Sequence, residues 1–222
     1  LKKIAARLVK KKIMVNDKRK TVTAIISHSK IIHRSRKVIL AFLKLCICHQ
    51  RHHQHGEQTN GIPYIYMGRS KDAIHWDFDK NKIPFVDEKG NPFMPRYAYD
   101  PRLVKVEDTY YIIWCQDFYG AAIGMAKTTD FKTFTRLENP FIPYNRNAVL
   151  FPRKINGNYV LLSRPSDSGH TPFGDIFLSE SPDMVYWGKH RHVMGRSSEW
   201  WESVKIGGGA APIETTFQQM VS

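Results

Sequence analysis

The chain has 222 residues, of which 42% are hydrophobic and 12% aromatic, enough to bury the core of one or two globular domains. Its formal net charge of +14 belongs entirely to residues 1–55, which hold fifteen Lys and Arg and one acid, Asp17, whereas residues 56–222 hold 19 basic and 19 acidic side chains. The basic balance therefore describes one segment, and it does not make the main body of the chain a nucleic-acid-binding protein.

Cysteine usage and hydropathy indicate the compartment. Cys46, Cys48 and Cys115 are an odd number without the spacing of a disulfide framework. This pattern favours a reducing environment, so we expect a cytoplasmic protein. The sequence has no apolar run of about 18 residues, the length that a membrane span requires. The basic start also lacks the long apolar region of a signal peptide.

Residues 1–55 alternate short apolar patches with Lys and Arg, without turn signals or a sustained period. Three interpretations stay open: a basic amphipathic helix for a membrane or nucleic acid, a metal site, and sequence foreign to the fold that follows. Phe42 is the only aromatic residue of the segment, so stacking platforms for bases are lacking. The candidate metal ligands all lie within ten residues, which matches no closed zinc pattern. They are Cys46, Cys48, His49, His52, His53 and His55.

From residue 61 onwards a repeat predicts the architecture. An apolar strand ends in Ser or Thr, Asp follows two residues later, and an aromatic residue stands four residues after the Asp. The aspartates are 58 and 53 residues apart, slightly more than the period of a four-stranded propeller blade. We predict that they cap turns and that the rings pack inside the blades. The copies are Ser70, Asp72 and Trp76; Thr128, Asp130 and Phe134; and Ser181, Asp183 and Trp187.

A β-hairpin is predicted for residues 151–164. Its two apolar-rich runs are joined at Asn156-Gly157, the strongest short signal for a type I′ turn. Arg146 precedes the hairpin and Arg164 ends it. Guanidinium groups fixed at strand ends can bind a doubly charged oxyanion bidentately. From the hairpin alone, ordinary surface charge remains an equal alternative.

Asp100 lies before Pro101, at the start of a predicted inner strand, and Arg146 lies at the equivalent place one repeat later. We expect both side chains to face the central cavity of the propeller. One carboxylate opposite several cations suits phosphate as nucleophile, because phosphate is already an anion and needs no general base. Asp100 would be the acid. The phosphate donors would be Arg146, Asn147, Arg164 and Lys205, with His170 as a further contact.

These motifs resemble glycoside hydrolase family 130, a family of five-bladed propellers that phosphorolyse β-mannosides. The resemblance covers residues 61–215 and is strongest to the 4-O-β-mannosyl-glucose phosphorylases. It is carried by YDPRLVKVEDTYYIIW, by the run from Asn145 to Gly188, and by ESVKIGGGAAPIET. It implies an all-β fold, namely a partial five-bladed β-propeller of about two and a half blades behind a basic, non-family N-terminal segment.

The resemblance also implies a reaction. This is inverting phosphorolysis of β-1,4-mannosyl-glucose, or of related β-manno-oligosaccharides, to mannose 1-phosphate, with phosphate as co-substrate and no metal or organic cofactor. Asp100 would be the general acid, acting through the mannosyl 3-hydroxyl as a proton relay. Hydrolytic relatives lack the cationic set. The resemblance assigns phosphate to Arg146, Asn147, Arg164 and Lys205, and the further candidates for substrate binding are Tyr99, Asp167 and His170.

The chain also departs from the family. Residues 1–55 lack the expected first-blade motif, and TTFQQMVS stands where the family continues. We therefore divide the chain into a basic segment (1–55), a partial propeller catalytic domain (56–215) and an atypical tail (216–222), and hypothesise that both ends are foreign or out of frame. The alternatives are an inactive or binding-only propeller remnant and a β-mannoside hydrolase. Bare sheet edges are compatible with a homo-oligomer, and neither a membrane nor a nucleic acid is expected as partner.

Overall fold

The computed structural model describes residues 64–70, 77–165, 174–199, 203 and 206–212, together with the backbone of three strands within residues 9–45. All regular elements in these ranges are β-strands, as the sequence predicts. No helix in the described part of the chain is long and apolar enough to span a membrane.

The strands of the described ranges form three sheets. The first contains β1 (Val9–Val15), β2 (Lys18–Ile26), β3 (Ile39–Leu45), β4 (Tyr64–Ser70) and β5 (Asp77–Lys82) in chain order. The second contains β6 (Phe85–Val86), β7 (Ala98–Val106), β8 (Thr109–Asp117), β9 (Ala121–Thr128) and β10 (Phe134–Leu137), in the order β6-β10-β9-β8-β7. The third contains β11 (Asn145–Leu150), β12 (Tyr159–Pro165), β13 (Ile176–Ser181) and β14 (Gly188–Met194) in chain order.

The second and third sheets each consist of four antiparallel strands in chain order, β7 to β10 and β11 to β14, and the two-residue β6 adds to β10 in parallel. The sequence repeat coincides with this arrangement, because β4, β9 and β13 end at Ser70, Thr128 and Ser181. Each copy of the repeat therefore marks the turn into the outer strand of a sheet, and the predicted partial propeller is confirmed.

The repeated aspartates cap these turns, as predicted. The Asp130 carboxylate accepts two backbone N–H groups, at 2.8 and 3.3 Å, and the Thr128 hydroxyl accepts a third at 3.0 Å. Asp183 and Ser181 repeat the arrangement with bonds of 2.9, 2.9 and 2.8 Å. Because these donors favour the ionised form, they lower the pKa of both carboxyl groups. Asp72, in the remaining copy, lies outside the described residues.

Two apolar layers hold the sheets together. One lies between the first and second sheets and includes Ile65, Trp114 and Phe134, and the other lies between the second and third sheets and includes Ile123 and Leu161. Because the second sheet is covered on both faces, seven of the nine residues of β8 are buried, and its sequence reads as a continuous apolar run. The predicted packing is confirmed for the rings of Phe134, which is buried, and Trp187, which packs against the second layer. Trp76 lies outside the described residues.

Gly124 gives a direct test of this packing. It lies opposite Trp114 in the ladder, and a Cβ atom placed on it would lie 2.3 Å from the indole. Gly124→Ala should therefore displace the tryptophan and lower the free energy of unfolding by about 1–3 kcal/mol, a usual cost of overpacking a core. Gly188→Ala is the matched control, since its Cβ would meet nothing within 4 Å. Urea unfolding of both variants should separate them, and equal stabilities would contradict the packing.

The hairpin differs from the prediction in its first strand. Asn156 and Gly157 do form the turn with positive φ angles of 51° and 80°, as a type I′ turn requires. The preceding strand, however, is β11, which ends at Leu150, and residues 151–154 are irregular. Pro152 contributes no backbone donor to a ladder, which accounts for the interruption. Arg146 lies inside β11 and directly opposite Arg164.

The three strands within residues 9–45 also differ from the sequence-based expectation, which identifies no regular element in residues 1–55. The amphipathic-helix interpretation is wrong for these strands. β3 pairs with β4 along its whole length, from Ile39↔Ser70 to Leu45↔Tyr64. This pairing partner lies about 20 residues further along the chain, so a local pattern does not reveal it. The candidate metal ligands between residues 46 and 55 lie outside the described residues.

Candidate active site

Asp100 and Asn147 occupy equivalent β-bulges in neighbouring sheets. In both β7 and β11 the bulged strand advances three residues while its partner advances two. The extra residue has a positive φ angle in each case, 51° at Asp100 and 54° at Asn147. Asp and Asn tolerate this conformation better than most other residues. The structure therefore makes Asn147 the equivalent of Asp100, whereas the sequence-based expectation gave that place to Arg146, one residue earlier.

Arg146 and Arg164 form a cross-strand pair of like charge. They lie directly opposite each other in the ladder of β11 and β12, where like charges normally destabilise a sheet. The Nε atoms of both are buried without a hydrogen-bond partner among the described residues. Burial, followed by further effects that include the Arg146 charge, lowers the pKa of Arg164. Two partly buried cations on adjacent strands attract an anion strongly.

Tyr99 holds the first of these cations. Its hydroxyl accepts a hydrogen bond from Arg146 Nη1 at 3.3 Å, and its ring lies 5.7 Å from that of Tyr97. Burial raises the pKa of Tyr99 to about 12, so the phenol is neutral at physiological pH. A neutral acceptor orients the guanidinium and leaves its positive charge uncompensated.

Arg102 lies between the two bulges and is a residue that the sequence-based reasoning missed. Its Nη1 donates to the Asp100 carbonyl at 3.2 Å, its Nη2 to Asn147 Oδ1 at 3.1 Å, and its Nε to the Gly209 carbonyl at 2.7 Å. The available signal was a cation two residues after Asp100 in a strand whose other members are mostly apolar.

Cys115 is a buried thiol close to residues of both bulges. The thiol is 1% exposed, and burial raises its pKa, whereas a hydrogen bond from the backbone N–H of Asn147 lowers it. The charges of Asp100, Arg102 and Arg146 also act on the same thiol. Charged groups from two sheets therefore lie near one buried thiol. That Asp100 and Arg146 face a common cavity stays a prediction.

A glycine-rich segment, residues 206–209, completes the described part of the site. Arg164 Nη1 donates to the Ile206 carbonyl at 3.0 Å. A Cβ atom on Gly208 would lie 2.5 Å from Val149 and 3.3 Å from the Asn147 carbonyl, so only glycine allows this approach. Three predicted site residues lie outside the described residues: Asp167, His170 and Lys205.

The cations nearer the turn of the hairpin have other contacts. Lys154 Nζ lies 3.2 Å from Glu107 Oε1, in the turn between β7 and β8, and Arg153 donates to a neighbouring carbonyl at 3.4 Å. Both therefore have structural contacts. No group of three or more potential metal ligands (His, Cys, Asp or Glu) occurs among the described residues.

The described strands thus form part of a β-propeller that carries two paired arginines and a bulged aspartate at the start of an inner strand. Comparison with known proteins gives the family. The model of glycoside hydrolase family 130, described as beta-1,4-mannooligosaccharide phosphorylase, matches residues 45–222. The chain belongs to this family.

Two curated relatives illustrate the similarity. The chain is 56% identical over 156 residues to the beta-1,4-mannooligosaccharide phosphorylase of Ruminococcus albus, covering 68% of this chain and 46% of the relative. It is 34% identical over 157 residues to a beta-1,2-mannobiose phosphorylase of Listeria innocua, covering 69% and 42%. The chain thus spans less than half the length of either relative.

Solved structures support the fold. The beta-1,2-mannobiose phosphorylase from Listeria innocua, solved with beta-1,2-mannobiose, superposes with a TM-score of 0.63 at 24% identity and covers 97% of this chain and 68% of that one. A putative glycosidase from Bacteroides thetaiotaomicron gives a TM-score of 0.58 at 14% identity, covering 82% and 55%. Similarity at these identities is evidence for the fold alone.

Proposed function

We propose that this protein catalyses the inverting phosphorolysis of β-1,4-linked mannosides to mannose 1-phosphate and a free sugar. The observation that carries the proposal is the Arg146 and Arg164 pair, whose Nε donors are buried without partners. Buried donors without partners are costly in a protein that gains nothing from them. A phosphate dianion would satisfy them bidentately.

Asp100 acts as the general acid in this proposal. Its proton passes through the mannosyl 3-hydroxyl to the glycosidic oxygen while a phosphate oxygen attacks the anomeric carbon from the opposite face. The bond from the anomeric carbon to the leaving oxygen breaks, the leaving sugar keeps the proton, and the β-mannoside gives α-mannose 1-phosphate. Because phosphate is already an anion, one carboxyl group suffices where an inverting hydrolase needs two.

Phosphate is held by the cross-strand arginines, with Asn147 as a neutral donor and Lys205 as a further cation. Tyr99 orients Arg146 through the bond of 3.3 Å, while Asp167 and His170 are proposed to contact the sugar. These donors bind the phosphate and aim one of its oxygen atoms at the anomeric carbon, so they act by positioning the nucleophile.

The sugar specificity rests on the relatives. The most similar of the two described above is named for β-1,4-mannooligosaccharides, whereas the sequence motifs resemble the mannosyl-glucose enzymes. We propose a β-1,4-linked mannosyl donor in either case, with mannosyl-glucose or a manno-oligosaccharide as substrate. We also propose a cytoplasmic location, since Cys115 is a free buried thiol.

The test is phosphorolysis by the purified chain. Mannosyl-glucose, β-1,4-mannobiose and β-1,4-mannotriose are each incubated with phosphate, and products are followed by phosphorus and proton NMR. We expect α-mannose 1-phosphate and no free mannose from the donor position. Free mannose released without phosphate would indicate a hydrolase. A rise in melting temperature with phosphate, but no product, would indicate a binding-only propeller remnant.

A further inference from the structure

We propose that Arg102 is a positioning residue that couples the acid to the phosphate site. This inference rests on the proposed function and concerns a residue that touches neither the reacting carbon nor the phosphate. The guanidinium donates to the Asp100 carbonyl, to Asn147 Oδ1 and to the Gly209 carbonyl, at 3.2, 3.1 and 2.7 Å. One rigid side chain thus joins the two bulges and the glycine-rich segment.

The bond to Asn147 determines what that amide offers to a ligand. Arg102 has donors and no acceptor, so it can bond only the oxygen of the amide. The Nδ2 group, which carries two N–H donors, then remains for an acceptor such as phosphate. Without Arg102 the amide could rotate and present its oxygen, which would repel the anion. Arg102 therefore specifies the donor side of Asn147.

The bond to Asp100 fixes the bulge that aims the acid. Asp100 has a φ angle of 51°, a conformation that costs energy outside glycine. Its carbonyl accepts from the same guanidinium that holds Asn147, so the two bulges cannot shift independently. A displacement of about 1 Å in a reacting group can lower a rate by two orders of magnitude. Coupling of the bulges protects this alignment.

Arginine is required at position 102 because its three hydrogen bonds leave one planar group in different directions. Three different nitrogen atoms of one guanidinium reach three different carbonyl-type oxygens. The ammonium of lysine has one nitrogen and cannot span the same separation. Lysine keeps the charge and stem, so Arg102→Lys isolates the geometric role from the electrostatic one.

The experiment measures phosphate binding by calorimetry and phosphorolysis kinetics with phosphate and sugar varied separately. For Arg102→Lys we expect phosphate affinity to fall roughly tenfold to a hundredfold, since a hydrogen bond to a charged group contributes about 1.5–3 kcal/mol and 1.4 kcal/mol is tenfold. The KM for the sugar should change less than threefold. Arg96→Lys is the control, because Arg96 is exposed and pairs with Asp117 at 2.8 Å, and it should behave as wild type.

A double-mutant cycle tests the route through Asn147. Asn147→Ala should itself weaken phosphate binding, and Arg102→Lys should weaken it by less than threefold further in that background. Asn147→Asp keeps a partner for Arg102 but replaces the donor by an anion, so it should remove phosphate binding while retaining the melting temperature. Additive losses in the cycle, or phosphate binding by Asn147→Asp, would overturn the proposal.

Wild-type controls separate this inference from the reaction. If the wild-type chain binds phosphate but forms no mannose 1-phosphate, the proposed reaction is refuted. The calorimetric titrations of phosphate into the variants still decide the role of Arg102. If the wild-type chain does not bind phosphate, both proposals are refuted. A parallel rise of the phosphate and sugar KM values in Arg102→Lys, with a lowered melting temperature, would assign Arg102 a structural role only.

Discussion

Asp100→Asn should lower the rate of phosphorolysis by roughly 10²–10⁴-fold, the range that a positioned general acid contributes. Asparagine has nearly the same shape and tolerates a positive φ angle, so the bulge should persist. Phosphate affinity should stay the same, because asparagine is as neutral as the protonated acid that the reaction requires. Turnover of mannosyl-glucose and calorimetric titration of phosphate measure the two effects separately.

A substrate whose leaving group needs no proton tests specifically whether Asp100 is the acid. A nitrophenyl mannoside releases a weakly basic phenolate that needs no proton, so the Asp100→Asn variant should retain much more of its rate on this substrate. Asp108→Asn is the matched control, because Asp108 lies in the fully exposed turn after β7. If both substrates lose the same factor, Asp100 is not the acid.

The propeller could be predicted because its repeat is local. Ser or Thr followed by Asp two residues later specifies a turn by its own hydrogen bonds, and the structure shows those bonds at Asp130 and Asp183. The same spacing finds the equivalent of Asp100 to within one residue, since it indicates Arg146 and the register of the bulges gives Asn147. Turns such as these, which a few adjacent residues determine, can therefore be predicted from the sequence.

The parts that could not be predicted depend on distant partners. β3 is recognisable only through its pairing with β4, and β11 is interrupted before the turn in a way that its apolar pattern does not reveal. Arg102 resembles a surface cation in the sequence, although it bonds Gly209 more than one hundred residues away. Burial, register and long-range hydrogen bonds determine these features, and the local sequence gives at most a weak indication of them, such as the cation at Arg102 within a mostly apolar strand.

The cationic pair gives the second large effect. We expect Arg164→Met to lower phosphate affinity and kcat/KM by roughly 10²–10³-fold, as for loss of one preorganised donor, while the melting temperature without phosphate stays the same or rises. The stability result follows because the substitution removes a like-charge cross-strand contact and a buried Nε donor without a partner. These gains offset the loss of the hydrogen bond to the Ile206 carbonyl at 3.0 Å. Arg146→Met should act in the same way, with an additional loss of the Tyr99 contact at 3.3 Å.

Without phosphate the Arg146→Met and Arg164→Met variants should be at least as stable as wild type, and with phosphate wild type should be the more stable. A ligand that binds only the folded state stabilises it by RT ln(1 + [L]/Kd), so wild type should gain melting temperature with phosphate and the variants should not. Arg153→Met is the control from the same hairpin and should respond as wild type does, because Arg153 lies outside the cationic pair. Calorimetric melting with and without phosphate measures all four proteins. Loss of stability without phosphate, combined with unchanged phosphate affinity, would make Arg146 and Arg164 structural residues. Unchanged or higher stability without phosphate, combined with lower phosphate affinity, would mean that the two arginines bind phosphate at a cost in stability.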